Sequence, residues 1–181
     1  MYRAQLDHVV RVAAAISHAS EIVVIGSQAI LLATDRAPAD ALVSMDVDLY
    51  PPHAPEQAEV IDGAIGEGST FHDTFGYYAR GVGPENAALP ADWREAAVRV
   101  ESEAFRGVVA IAPAPTDLAI SKLAAGREKD LDFVAALVRG RVVRPEELLA
   151  RMTASFSGDQ RDRLADRARR AVTLAAASPK A

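Results

Sequence analysis

The sequence predicts an α/β chain: strands and helices mixed over residues 1–112, then a helical part over residues 113–181. Three observations predict it. Short apolar runs at residues 21–25, 43–50 and 108–112 have the length of strands and are bounded by Gly, Ser or Pro. Beyond Pro113 and Pro115 the apolar spacing becomes helical and stays so. No internal repeat and no linker separates the two parts, so the 181 residues are expected to form one domain with a sizeable core.

Taken in order, residues 4–18 form a helix whose face is Leu6, Val9, Val10, Ala13 and Ile16. Residues 21–25 are a buried strand that ends at Gly26-Ser27, and residues 27–33 read as a helix of two turns. Residues 35–41, with Pro38 and two aspartates, read as a loop, and residues 43–50 as a strand stopped by Pro51-Pro52. A short helix over 55–65 is ended by Gly66 and Gly68, and residues 71–79 read as a strand at a sheet edge. Residues 81–92 are a turn-rich connection. Over 97–103, Val98 and Val100 alternate with Arg99 and Glu101, as on a half-exposed strand.

In the helical part, Thr116 is placed to cap a helix over 116–125, with Asp117 in its first turn and Gly126 to break or bend it. Helices over 129–138 and 145–154 follow. The last helix, 159–177, carries the apolar stripe Leu164, Ala168, Ala171 and Ala175. Asp159–Arg163 and Asp166–Arg170 are spaced for i,i+4 ion pairs, and 178–181 is expected to fray.

Composition narrows the function. Half of the chain is hydrophobic but only 6% is aromatic, and much of the apolar content is alanine, so helices should pack closely. A net charge of −5 argues against non-specific nucleic-acid binding, though not against a local basic groove. The absence of cysteine excludes disulfides and thiolate metal sites. Arg3, Asp7, His8 and Arg11 interrupt what would be a signal peptide, and no apolar run approaches the roughly 20 residues that span a bilayer. A soluble cytoplasmic protein without membrane contact is expected.

The chemistry is concentrated in Ser-Met-Asp-Val-Asp-Leu-Tyr (44–50). Residues i and i+2 of a strand share a face, so Asp46 and Asp48 stand roughly 7 Å apart at their Cα atoms, from about 3.3 Å of rise per residue. Two like charges so placed repel unless a cation lies between them. Mg²⁺ is usually held by one or two carboxylates together with substrate phosphates. As solvent-facing strand residues the pair would be unusual, since Asp is depleted in strands. Gly26 after a buried strand would let the backbone approach a phosphate, and Ser27 either bonds that phosphate or caps the helix. Lys122 either snorkels to solvent or meets phosphate. Arg127, Lys129 and Asp130 form a basic cluster with an embedded acid, either a triphosphate site or a solvated helix face. His8, His18, His53 and His72 have no metal-ligand spacing. Arg163, Arg167 and Arg170 form a stripe that either faces RNA or is solvated beside its aspartates.

Ile-Val-Val-Ile-Gly-Ser-Gln-Ala (22–29) with the Asp46/Asp48 strand resembles the Gly-Ser … Asp-x-Asp signature of the nucleotidyltransferase superfamily. Residues 116–134 resemble the second signature of its DUF6036 and AbiEii-type branch, as do Phe-Gly-Tyr-Tyr (75–78) and Leu-Pro-Ala-Asp-Trp-Arg (89–94). The resemblance implies a mixed sheet flanked by helices, with a helical C-terminal part. It implies transfer of a nucleoside monophosphate from an NTP, dependent on Mg²⁺ or Mn²⁺. In AbiEii-type relatives the acceptor can be a tRNA 3′ end or another RNA, and the protein the toxin of a toxin–antitoxin pair. Carried over by motif, Gly26 and Ser27 would hold the triphosphate, Asp46 and Asp48 the metal, and Lys122 a phosphate. Asp130 would complete the site, with Arg127 and Lys129 on the nucleotide. Many members carry a third strand carboxylate as general base, and Glu101 is the candidate. Without it, Asp130 substitutes or transfer is weak or absent. The competing expectation is therefore a module that binds nucleotide or a partner protein without turnover, and a third is transfer to a small molecule.

Overall fold

The computed structural model describes residues 1–177. Its strands are β1 (Glu21–Ile25), β2 (Asp46–Tyr50), β3 (Tyr78–Gly81), β4 (Val98–Glu101) and β5 (Val109–Ala112). They form one mixed sheet in the order β3-β2-β1-β5-β4. β1 is central, antiparallel to β2 and parallel to β5. β2 and β3 are parallel, and β4 and β5 antiparallel. Ile22, Val23, Val24 and Ile25 are all 3% exposed or less, as a central strand requires. Burying each contributes roughly 1.5–3 kcal/mol before entropy.

The helices are α1 (Arg3–Ser17), α2 (Ile30–Ala33), α3 (Ala58–Ile65), α4 (Thr70–Phe75), α5 (Pro115–Ala125), α6 (Glu128–Arg139), α7 (Pro145–Ser155) and α8 (Gly158–Ala177). A mixed sheet flanked by helices, with a helical C-terminal part, is the architecture the sequence predicts. None of the helices described is long and apolar enough to cross a membrane. The expected fraying of 178–181 falls outside the described residues.

The two faces of the sheet differ. Ile22 and Val24 of β1, and Val47 and Leu49 of β2, enter the main core with α1, α5 and α6. Their neighbours Val23, Ile25 and Tyr50 face the other way and join Trp93, Ala58 and Ile111 in a smaller cluster. The period of two therefore turns Asp46 and Asp48 away from the main core, onto the face that Tyr50 shares. That face is covered by the segment carrying Trp93, which is 9% exposed.

Arg151 of α7 ties this cover down. It donates two hydrogen bonds to Asp117 of α5, at 2.8 and 3.1 Å, and two to Asp92, at 2.9 and 2.8 Å. Asp117 is in the first turn of α5, as expected, and at 1% exposed it is the buried half of a structural ion pair. The Arg151 guanidinium is held charged, above its ordinary range, by its bonds to Asp117 and then Asp92.

Four local expectations are corrected. Residues 70–75 are helical, not an edge strand: the Ser69 hydroxyl accepts the His72 N–H at 3.2 Å. Phe71 and Phe75, one turn apart, both pack on the His8 ring, with centroids 5.2 and 4.8 Å away. The cap of α5 is Ala114 with Pro115 in first place, not Thr116, because proline suits a position whose N–H needs no partner. On α8, Asp166 pairs with Arg169 and Arg161 with Asp162, not at the i,i+4 spacings expected. Such exposed pairs are worth about 1 kcal/mol or less, too little to dictate one geometry. Arg167 is not solvated: its Nη1 donates to the Leu123 and Ala124 carbonyls at 2.7 and 2.8 Å, at the C-terminal end of α5. Gly126, at φ +67°, makes room, since a Cβ there would lie 2.3 Å from the Arg167 guanidinium carbon.

Candidate active site

Ile25, the last residue of β1, is in register with Asp48 on β2. The turn that follows β1 is thereby set beside the second carboxylate of the pair. Gly26 has φ +73° and ψ −170°, a region open essentially to glycine alone. A Cβ on Gly26 would sit 2.2 Å from Asp48 Oδ2, so the carboxylate packs directly on the glycine. Gly26→Ala is expected to lower stability by about 2 kcal/mol in denaturant unfolding, from the backbone strain alone and before any clash is relieved. Gly26, not Ser27, is the cap residue of the following helical turn, and no side-chain bond caps it. The Ser27 hydroxyl makes no hydrogen bond among the described residues and lines the cleft, so capping does not explain it.

The cleft has two lobes, of about 400 and 500 Å³, which is within the range of small-molecule sites. Asp48, Arg80, Lys122 and Arg127 line both. Gly26, Asp62, Asn86 and Ser121 belong to the first, and Ser27, Ser44, Asp46, Lys129, Asp130 and Phe133 to the second. Ser44 donates to Asp46 Oδ1 from the loop before β2.

α5 and α6 supply the rest. Lys122 is 12% exposed at its side chain, with Nζ 3.7 Å from Asp130 Oδ1 and 5.7 Å from the Phe133 ring centroid. It does not snorkel. Burial pulls its ammonium below the ordinary lysine range, while Asp130 and Asp48 hold it up. Asp130, 2% exposed, accepts from Arg127 three times: from the backbone N–H at 3.2 Å, from Nε at 2.7 Å and from Nη2 at 3.2 Å. Burial alone would raise its carboxyl, but the Arg127 bonds and Lys122 hold it below the usual carboxylate range. Asp48 goes the other way. Burial raises its carboxyl, Asp46 raises it further, and Lys122, Arg80 and Arg127 oppose.

Gly26, Ser27, Asp46, Asp48, Lys122, Arg127, Lys129 and Asp130 thus line one cleft. Glu101 does not join them. β4 lies three strands from β2 across the sheet. Glu101 is in register with Val109 and, through it, Glu21, at the opposite end of β1 from Ile25. It lines a separate hollow with Ser102 and Glu103. Asp130 is no free substitute, because both its oxygens are engaged by Arg127 and Lys122. Among the described residues no cluster of three or more acids or histidines could hold a metal ion. The donors that could are Asp46 and Asp48. They match the one or two carboxylates that Mg²⁺ takes alongside phosphates, and Asp46 adds to the rise that burial causes in the Asp48 carboxyl.

With Ser44, Asp62, Asn86, Ser121 and Phe133, Arg80 is a cleft residue that the sequence reasoning passed over, and it is the cation among them. It lies on β3 in register with Asp48, and its Nη1 is 3.8 Å from Asp46 Oδ2. The signal was present in Tyr78-Ala79-Arg80, a polar–small–polar alternation about the buried Ala79.

A family model described as "Nucleotidyltransferase of unknown function (DUF6036)" matches residues 4–165. No curated protein and no solved structure gives a significant match.

Proposed function

This chain belongs to the DUF6036 nucleotidyltransferase family, and from that premise we propose that it moves a nucleoside monophosphate from an NTP to an acceptor, with Mg²⁺ or Mn²⁺ held by Asp46 and Asp48. The observation that carries the reading is the meeting of that pair with the Gly26-Ser27 turn and the buried Lys122 around one cleft. Bound between the aspartates, the ion would offset charge on the triphosphate and polarise its α-phosphate.

The chain's own residues do the remainder. The Ser27 hydroxyl and the backbone following Gly26 receive phosphate oxygens. Lys122, desolvated and paired with Asp130, meets a phosphate at short range, where a low dielectric strengthens the contact. Arg127 and Lys129, both exposed at the cleft, orient the polyphosphate. The acceptor oxygen bonds to the α-phosphorus as the bond to the bridging oxygen breaks, and pyrophosphate leaves with that electron pair. The acceptor's proton passes to solvent. Positioning and electrostatics supply most of the rate in such a step.

For the acceptor we propose the 3′ end of a tRNA, and for the biological role a cytoplasmic toxin held by a cognate antitoxin; both follow the AbiEii-type resemblance. With Arg167 turned into α5, exposed basic contacts for RNA fall to Arg127 and Lys129 at the cleft and Arg163 and Arg170 on α8. The test is incubation with each α-labelled NTP, Mg²⁺, and total cellular RNA and protein, read on a gel. A labelled RNA band of tRNA size is expected, and it must vanish with chelator. The second reading, nucleotide binding without turnover, is favoured by the position of Glu101 away from the pair. Calorimetric binding of Mg²⁺ and NTP with no labelled product would select it.

A further inference from the structure

The carboxylate pair is already partly neutralised by its own sheet. Arg80 stands one strand away, in register with Asp48, and holds Asp46 at 3.8 Å. Its side chain is 53% exposed, so it is free to swing, and it lines both lobes of the cleft. Lys122 and Arg127 differ in that each also pairs with Asp130, at 3.7 and 2.7 Å. Asp46 and Asp130 each have a cation within 4 Å, and Lys122, Arg80 and Arg127 oppose the rise that burial causes in the Asp48 carboxyl. A divalent cation between Asp46 and Asp48 would stand within a few ångströms of the Arg80 guanidinium and repel it. An anion beside that cation gives the released guanidinium a new partner, and its planar fork suits phosphate oxygens.

We propose that Arg80 is a displaceable counter-ion that couples the two ligands of the cleft: it holds Asp46 in the absence of a divalent cation and moves to a phosphate oxygen of the nucleotide when the cation takes Asp46. The inference rests on the reading of Asp46 and Asp48 as the metal-binding pair. It makes Arg80 a positioning residue that penalises cation binding alone and rewards cation and triphosphate together. By linkage the effect is reciprocal, so nucleotide also binds better with the cation present.

The experiment is a Mn²⁺ titration of the full chain, read from the electron paramagnetic resonance of free Mn²⁺, with and without a non-hydrolysable ATP analogue bridged by methylene between its α- and β-phosphates. Arg80→Gln is expected to bind Mn²⁺ alone about three- to tenfold more tightly, to bind the analogue about tenfold more weakly, and to show a smaller gain from adding the second ligand. Arg80→Lys, which keeps the charge, should return Mn²⁺ affinity to near that of the unsubstituted chain. A merely structural arginine would move neither affinity, or would lower both together. Unchanged or weaker Mn²⁺ binding by Arg80→Gln, beside an unsubstituted chain that binds both ligands, overturns the role of Arg80 alone. An unsubstituted chain that binds no Mn²⁺ overturns the reading of the pair, and the counter-ion with it.

Discussion

Asp48→Asn is expected to abolish nucleotide transfer, with a loss of at least about 10³-fold, and yet to melt no lower than the unsubstituted chain at pH 7. The two outcomes have one cause. The folded-state carboxyl of Asp48 is raised above its ordinary value of 3.8, first by burial and then by Asp46. A carboxyl whose folded pKa is raised favours the fold below its unfolded pKa, and that contribution is lost as pH rises through the folded value. At pH 7, well above the unfolded value, holding Asp48 in the fold is therefore a cost, kept where chemistry needs a carboxylate. Asparagine keeps the shape and removes the charge. Melting curves should place the variant above the unsubstituted chain at pH 7, with the gap closing as pH falls toward 4. Transfer above a tenth of the unsubstituted rate would remove Asp48 from the mechanism. A variant that melts markedly lower at pH 7 would show that its charge is compensated better than the burial implies.

Asp130→Ala carries the largest expected loss of stability, about 3 kcal/mol in denaturant unfolding. Asp130 is 2% exposed and is the partner of two cations. Its removal strands Lys122, whose side chain is only 12% exposed, and deletes the acceptor for the Arg127 backbone N–H at the start of α6. The pH dependence has the opposite sense to that of Asp48. The Asp130 carboxyl is held low in the fold, so its contribution is present above the unfolded value of 3.8 and is lost as pH falls. The variant should accordingly lose less stability on acidification than the unsubstituted chain. Adding Lys122→Met should recover part of the loss, since it removes the stranded charge, and a double-mutant cycle measures that coupling. A loss under 1 kcal/mol, or no recovery on adding Lys122→Met, would show that water already reaches the pair.

The strand pair Asp46/Asp48 was legible because a strand has a period of two, and no tertiary information is needed to place i and i+2 on one face. Gly26-Ser27 was legible as a turn, but its contact with Asp48 depends on the β1–β2 register. Lys122 and Asp130 belong to the site because α5 and α6 meet there, and only a family resemblance linked them to residues more than seventy positions earlier. Glu101 was misplaced for a related reason: its alternation marked a strand correctly, but nothing local says that this strand lies at the far edge. Arg80 was passed over because residues 71–79 read as extended, which hid both α4 and the short strand after it. Arg167 looked like one of three solvated arginines until the Gly126 turn brought the end of α5 against it.

The chain by itself determined the elements that local periodicity and turn chemistry encode: a buried β1, an acidic face on β2, and helices after Pro115. It also determined that two like charges on β2 would need compensation. What compensates them was decided by the tertiary structure alone, because Arg80 arrives through parallel pairing with β3 and Lys122 through the packing of α5. Strand order and register are collective results of burying one face of every strand at once. A neighbour across the sheet therefore has no signature in the residues around it, whereas a neighbour along the strand has one at every second position.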